Sequence, residues 1–160
     1  MKVVLDTSAI IYLNDFRMFD EIFTVSDVID EVKDRISALK LSGINFQVVD
    51  PTESSIKEIK KIARETGDLE KLSKTDIKIL SLAKENRLDI VSDDYNIQNV
   101  AERIGIKYIS LFSGKITKFI QWGKYCGNCK RFYEKGDTCT KCGSQLIRKP
   151  VKEELINNKN

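Results

Sequence analysis

Four acidic residues spaced far apart along the chain, Asp6, Glu31, Asp76 and Asp94, are the first side chains that could act together. Each falls where a buried strand should end or a helix begin, a placement that would gather them into one carboxylate cluster. The chain contains no histidine. Acid–base or nucleophilic chemistry that needs an imidazole is therefore excluded, and metal-dependent chemistry run by carboxylates becomes the leading candidate. Three or four carboxylates around Mg²⁺ or Mn²⁺ make an oxygen-ligand site that suits phosphodiester hydrolysis. Thr7, Ser8 and Ser92 stand beside these acids and could orient ligands or substrate through hydrogen bonds.

A second set lies near the other end. Cys126-Gly127-Asn128-Cys129 and Cys139-Thr140-Lys141-Cys142 are the only cysteines, two C-x-x-C pairs separated by nine residues, with Gly143 next. This is zinc-ribbon spacing, each pair forming a tight knuckle that presents two thiolates to one Zn²⁺. Four cysteine ligands leave no open position, so such a zinc is structural and folds a module too small for its own core. Two disulfides are the alternative. Lys130, Arg131, Phe132 and Tyr133 sit between the knuckles, where basic residues beside aromatics can meet phosphates and stack on bases; the two rings can equally be packing residues of the ribbon.

The elements that must position the acids alternate. Val3-Val4-Leu5 is an apolar run without polar alternation, the mark of a strand covered on both faces. A helix carrying Ile10, Ile11 and Leu13 follows Asp6, then a short amphipathic stretch through Phe16, Phe19 and Ile22. Ser26 is the expected N-cap of a long helix with a Val28, Val32, Ile36 and Leu39 stripe, ending before Gly43. Phe46-Gln47-Val48-Val49 is the second expected strand, and a helix with Ile56, Ile59 and Ile62 runs on to Gly67. Ser73-Lys74-Thr75-Asp76 reads as a capping box opening a helix, before the strand Leu88 to Val91. A helix over 97–104 and a strand over 106–109 complete the pattern.

Such alternation implies a three-layer α/β domain, a central parallel sheet with flanking helices. Ligands in that architecture bind beyond the carboxyl ends of the strands. Asp6 and Asp94 would share one crevice if the first strand neighbours the strand before Asp94. Asp76 falls on the apolar side of its helix, where an ionised carboxylate needs a partner such as a divalent cation. Each acid also has a plainer role: Asp6 as a helix cap, Glu31 in an exposed pair with Arg35, Asp76 in its capping box, and Asp93-Asp94 in a turn.

Composition narrows the class. In 160 residues, 41% hydrophobic and 32% charged, the chain can build one core of domain size plus a small appendage. No apolar run approaches the roughly 20 residues that span a bilayer and the N-terminus has no signal-peptide architecture, so no membrane role and a cytoplasmic location are expected. Residues 121–160 carry nine Lys and Arg against four Asp and Glu, with 18 against 20 before them. The ribbon end is thus the basic one and suits a polyanion.

The blocks Val4-Leu5-Asp6-Thr7-Ser8-Ala9, Glu31, Leu72-Ser73-Lys74-Thr75-Asp76-Ile77 and Val91-Ser92-Asp93-Asp94-Tyr95 closely resemble those of PIN-domain ribonucleases. The resemblance implies a PIN-like domain over 1–112 in which Asp6, Glu31, Asp76 and Asp94 coordinate Mg²⁺ or Mn²⁺ and cleave single-stranded RNA. Asp93 competes with Asp94 for the last place, which is assigned to Asp94. Aspartyl-phosphate phosphatases carry a second Asp where this chain has Ser8, so that match is poor. A PIN domain joined by a linker (113–120) to a zinc ribbon (121–150) and a polar tail (151–160) resembles the Nob-type endonucleases. That likeness implies cleavage of precursor small-subunit rRNA at its mature 3′ end, on the pre-small ribosomal subunit with its assembly factors. The rivals are a PIN-type toxin ribonuclease and a non-catalytic RNA-binding assembly factor.

Overall fold

The structure, a computed structural model, describes residues 1–35 and 41–156. Five strands form one all-parallel sheet in the order β3-β2-β1-β4-β5: β1 (Lys2–Leu5), β2 (Glu21–Thr24), β3 (Phe46–Val48), β4 (Asp89–Val91) and β5 (Tyr108–Ile109). The flanking helices are α1 (Thr7–Tyr12), α2 (Ser26–Lys33), α3 (Glu53–Thr66), α4 (Lys74–Asn86) and α5 (Tyr95–Arg103). The three apolar residues of β1 are wholly buried, because the strand is central and covered on both faces. The chain winds outward from β1 to β2 and β3, then returns to place β4 on the opposite side. The sheet's switch point therefore lies between β1 and β4, with Leu5 opposite Val91. The adjacency required for Asp6 and Asp94 to share a crevice is met.

One local expectation gives way to the structure and another is made specific. The amphipathic stretch through Phe16, Phe19 and Ile22 is a loop leading into β2, in which Ile22 lies. Phe16 packs edge-on against Phe46 with ring centroids 6.4 Å apart. Pairing to β1 then draws the Ile22 segment into the sheet. Ser26 is not the N-cap of α2; that place is held by Val25, and the Ser26 N–H and hydroxyl donate to Asp50 at 3.1 and 2.7 Å. Val28 and Val32 are buried as expected, whereas Ile36 and Leu39 lie outside the described residues.

Helix ends follow local chemistry. Thr52 caps α3, and Gly67 ends it in the left-handed region at φ 77°. The capping box of α4 is complete: the Asp76 N–H donates to Ser73 Oγ and the Ser73 N–H to Asp76 Oδ2, at 3.1 and 2.7 Å. No helix among the described residues is long and apolar enough to cross a membrane.

The cysteine-bearing part is a three-stranded antiparallel sheet of order β7-β6-β8, with β6 (Lys118–Cys126), β7 (Arg131–Tyr133) and β8 (Ile147–Leu155). Residues 118–120, placed in the linker by sequence, begin β6, and the segment read as a polar tail is strand through Leu155. Val151–Leu155 is largely exposed and has no strand-like alternation; its state is set by pairing with β6. Pro150 is accommodated because β8 is an edge strand.

A buried polar network seats this sheet on the α/β body. The wholly buried Asp68 carboxylate accepts from Arg148 Nη2 on β8 at 2.6 Å and from Asn99 Nδ2 at 2.7 Å. Asn99 also exchanges both of its polar functions with the backbone of Ile120, each at 2.8 Å. The Arg148 guanidinium lies 4.0 Å from the centre of the Trp122 ring. Gly67 meets Trp122 so closely that a Cβ there would stand 2.3 Å from the Trp122 carbonyl oxygen.

Candidate active site and metal centre

Asp6 stands at the end of β1 and opens α1, accepting from the Ala9 N–H at 2.6 Å. It is 7% exposed, and burial pushes its carboxyl up to about 6 against hydrogen bonds from Ser92 and Ala9, with the charges of Asp76 and Asp93 adding to the rise. Ser92 also accepts the Asp94 N–H at 3.1 Å, so one buried hydroxyl links the acids that follow β1 and β4. Asp94 caps α5, accepting from the N–H and side-chain amide of Asn96 at 2.7 and 2.9 Å.

Asp76 is half-buried at the first turn of α4. Burial raises its carboxyl above the ordinary range despite the Ser73 hydrogen bonds, and the charges of Asp94 and Glu31 push the same way. Glu31, exposed on α2, is held by two hydroxyls rather than by Arg35: Thr7 donates to its Oε2 at 2.6 Å and Thr75 to its Oε1 at 2.8 Å. Sequence reasoning singled out Thr7 but missed Thr75. The signal was its place next to Asp76 in the capping box, one helix residue further round.

The four acids thus arrive from four elements, with the charge of Asp76 raising Asp6 and those of Asp94 and Glu31 raising Asp76. Among the described residues, no lysine or arginine lies within ion-pair distance of any of them. A half-buried, mutually repelling set of oxygen donors with no cationic side chain fits a hard divalent cation. Asp93 has a different occupation. Its Oδ1 accepts the N–H groups of Leu111, Phe112 and Ser113, each at 3.0 Å, and the Ser110 hydroxyl. Burial alone would raise this carboxyl; the four donors outweigh it and leave it below the ordinary range. Asp93 fastens the loop after β5, while the charge of Asp94 raises the Asp76 carboxyl. Ser8 is exposed.

The four cysteines meet at the other end of the molecule, their sulfurs all within 4.8 Å of one another and none in a disulfide. Cys126 and Cys142 Sγ are 3.6 Å apart, Cys129 and Cys139 Sγ 3.8 Å. A tetrahedron of thiolates with bonds of about 2.3 Å has edges of about 3.8 Å, so the cluster fits a zinc ribbon. The knuckles repeat one design. Lys130 and Gly143 each follow the second cysteine of a pair with positive φ, 58° and 72°. Each N–H returns to the carbonyl of that pair's first cysteine, at 2.9 and 2.8 Å.

This geometry separates the residues between the knuckles. Tyr133 packs on the cysteine cluster with its hydroxyl 3.0 Å from Cys139 Sγ, a packing place. Phe132 is 48% exposed and leans on Tyr125, ring centroids 4.9 Å apart; Arg131 and Lys130 are exposed.

Comparison with known proteins agrees with this arrangement. The family described as the PIN domain of ribonuclease matches residues 3–85. The chain is 40% identical to Endoribonuclease Nob1 of Archaeoglobus fulgidus, over 97% of this chain and 95% of that protein. It is 38% identical to Endoribonuclease Nob1 of Pyrococcus abyssi, over 91% and 92%. A more distant likeness, 31% over 60% of this chain and 26% of the other, is to the 20S-pre-rRNA D-site endonuclease nob1 of Schizosaccharomyces pombe. With a parallel sheet that gathers acids at its switch point and a cysteine cluster beyond it, the chain belongs to the PIN-domain ribonucleases, within the Nob1 endoribonuclease family.

Proposed function

We propose that this protein is a divalent-metal-dependent endoribonuclease that cleaves precursor small-subunit rRNA at the mature 3′ end, in the cytoplasm, on the assembling small ribosomal subunit. The observation that supports this reading is that the charge of Asp76 raises the Asp6 carboxyl while those of Asp94 and Glu31 raise Asp76, near the β1–β4 switch point and with none of the four ion-paired to a cationic side chain among the described residues. The names of the archaeal and yeast relatives, endoribonuclease and pre-rRNA endonuclease, support the reaction and the substrate class.

These four carboxylates would hold Mg²⁺ or Mn²⁺. When bound, such a cation supplies Lewis-acid stabilisation of charge at the scissile phosphate. Asp6 is fixed by the Ala9 N–H and Ser92. Thr7 and Thr75 orient Glu31, and Asn96 orients Asp94. Cys126, Cys129, Cys139 and Cys142 would hold one structural Zn²⁺. The ribbon, with exposed Arg131 and Phe132, then adds a basic and aromatic surface for RNA.

The test is cleavage of an RNA spanning the precursor 3′ end with Mg²⁺ or Mn²⁺, comparing wild type with Asp6→Asn and Asp94→Asn. Discrete metal-dependent cutting at the mature end, absent from both variants, is expected. Indiscriminate cutting would move the target elsewhere, as for a toxin ribonuclease. Binding without cutting would make the protein an assembly factor.

A further inference from the structure

Beside the acid crevice stand two aromatic rings that the four carboxylates do not account for. Phe112 is 70% exposed and Tyr12 60%, and they meet edge to face, with ring centroids 6.1 Å apart and planes at 89°. Exposed aromatics on a loose loop would need no explanation, but this pair is held. Asp93 takes the N–H of Phe112 and of both its neighbours, and the Tyr95 hydroxyl donates to the Ser113 carbonyl at 2.9 Å. One carboxylate oxygen with four donors spends its whole hydrogen-bonding capacity on fixing a loop whose tip is an exposed phenyl ring.

The location is equally specific. The Phe112 loop leaves the carboxyl end of β5, the rim that also carries Asp6 and Asp94. Tyr12 ends the helix that Asp6 caps, about 9 Å along its axis at 1.5 Å per residue. Asp93, which anchors the loop, is close enough to Asp6 for their charges to interact. A strand of RNA entering this crevice meets a field of carboxylates that repels its phosphates, so part of its grip must come from contacts that carry no charge. Aromatic faces supply this, because every base has a π-face to stack on them. Two rings are far too small an area for a stable protein interface.

We propose that Tyr12 and Phe112 form a base-stacking subsite that receives an unpaired nucleobase of the RNA strand flanking the scissile phosphodiester. The assignment rests on the nuclease reading of the carboxylates and adds to it the means of holding the substrate. Stacking is indifferent to base identity, so the subsite fixes the position of the strand and leaves sequence choice to other contacts.

The test uses the full chain carrying Asp6→Asn, so that RNA is bound and not cut. A short single-stranded RNA with a fluorescent purine analogue is walked through successive positions around the cut. Quenching at one or two positions on one side of the scissile bond is expected. Adding Phe112→Ala and Tyr12→Ala should relieve it and weaken binding about tenfold, with Phe112→Trp retaining both. In the otherwise wild-type chain, the alanine changes should raise KM by a similar factor and leave kcat nearly unchanged. Quenching that persists at the same position without the two rings, or an unchanged KM, would overturn the subsite. Cleavage by the Asp6→Asn chain would overturn the carboxylate assignment instead, and the fluorescence would still report on stacking.

Discussion

Replacing Asp6 with Asn should stabilise this protein while removing its activity, and the size of the gain follows from the burial of one carboxyl. In the folded chain Asp6 titrates at about 6 instead of 3.8, chiefly because burial disfavours its charge. A difference of about 2 pH units, at 1.36 kcal/mol each, makes ionised Asp6 cost about 3 kcal/mol of folding free energy at neutral pH. The sign is that of an acid whose folded pKa is raised. Its contribution is fully present below 3.8 and is lost as the pH rises through about 6. Asparagine can keep the cap to Ala9, since it is as good an N-cap as aspartate, but it carries no charge to bury. Urea unfolding without added divalent cation should therefore show Asp6→Asn more stable by about 2–3 kcal/mol at pH 7, the difference falling to about 0.5 kcal/mol by pH 4. Added Mg²⁺ should raise the midpoint of the wild type and not of the variant. A variant no more stable than wild type at pH 7, or a difference that does not change with pH, would refute the account of Asp6 as a carboxylate held charged for a cation.

Three further outcomes test other parts of the structure. Arg148→Met leaves the wholly buried Asp68 without its guanidinium and should cost about 3 kcal/mol, read as a lowered urea midpoint. Adding Asp68→Asn should recover most of that loss, and additive single effects would show that the pair is not coupled. Gly67→Ala forces a side chain into the left-handed region and against the Trp122 carbonyl, so a loss of at least about 2 kcal/mol is expected. The single tryptophan of the chain sits at that contact, and its fluorescence should shift in the variant; an unchanged spectrum and midpoint would contradict the packing. Cys139→Ser should lose the bound metal, expected at about one zinc per chain in the wild type, as read by elemental analysis. A wild type with disulfides and no zinc would sink that assignment.

Much of the fold was legible because its signals are local. Val3-Val4-Leu5 of β1 has no polar residue because both faces are covered, the α4 capping box lies within four residues, and the C-x-x-C pairs carry their geometry in their spacing. Signals that depend on distant partners were misread. Glu21–Thr24 was not read as a strand because its place is set by pairing with β1, and Val151–Leu155 has no strand pattern until β6 lies beside it. Glu31 looked like half of a surface ion pair because the hydroxyls that hold it come from residues 24 behind and 44 ahead in the chain.

The sequence alone thus determined the kinds of donor and the elements carrying them: carboxylates without histidine at strand and helix ends, and thiols on two knuckles. Tertiary structure decided which of two neighbouring acids fastens a loop, since Asp93 and Asp94 are equivalent until the backbone after β5 comes within reach of one of them. It also decided that the ribbon is seated on the body, through Asp68, Asn99 and Arg148, whose types announce nothing until folding brings them together out of water. The physical reason is the same in both cases. Capping and knuckle geometry are short-range and written into neighbouring residues, whereas burial and the pairing of buried polar groups exist only once distant segments have packed.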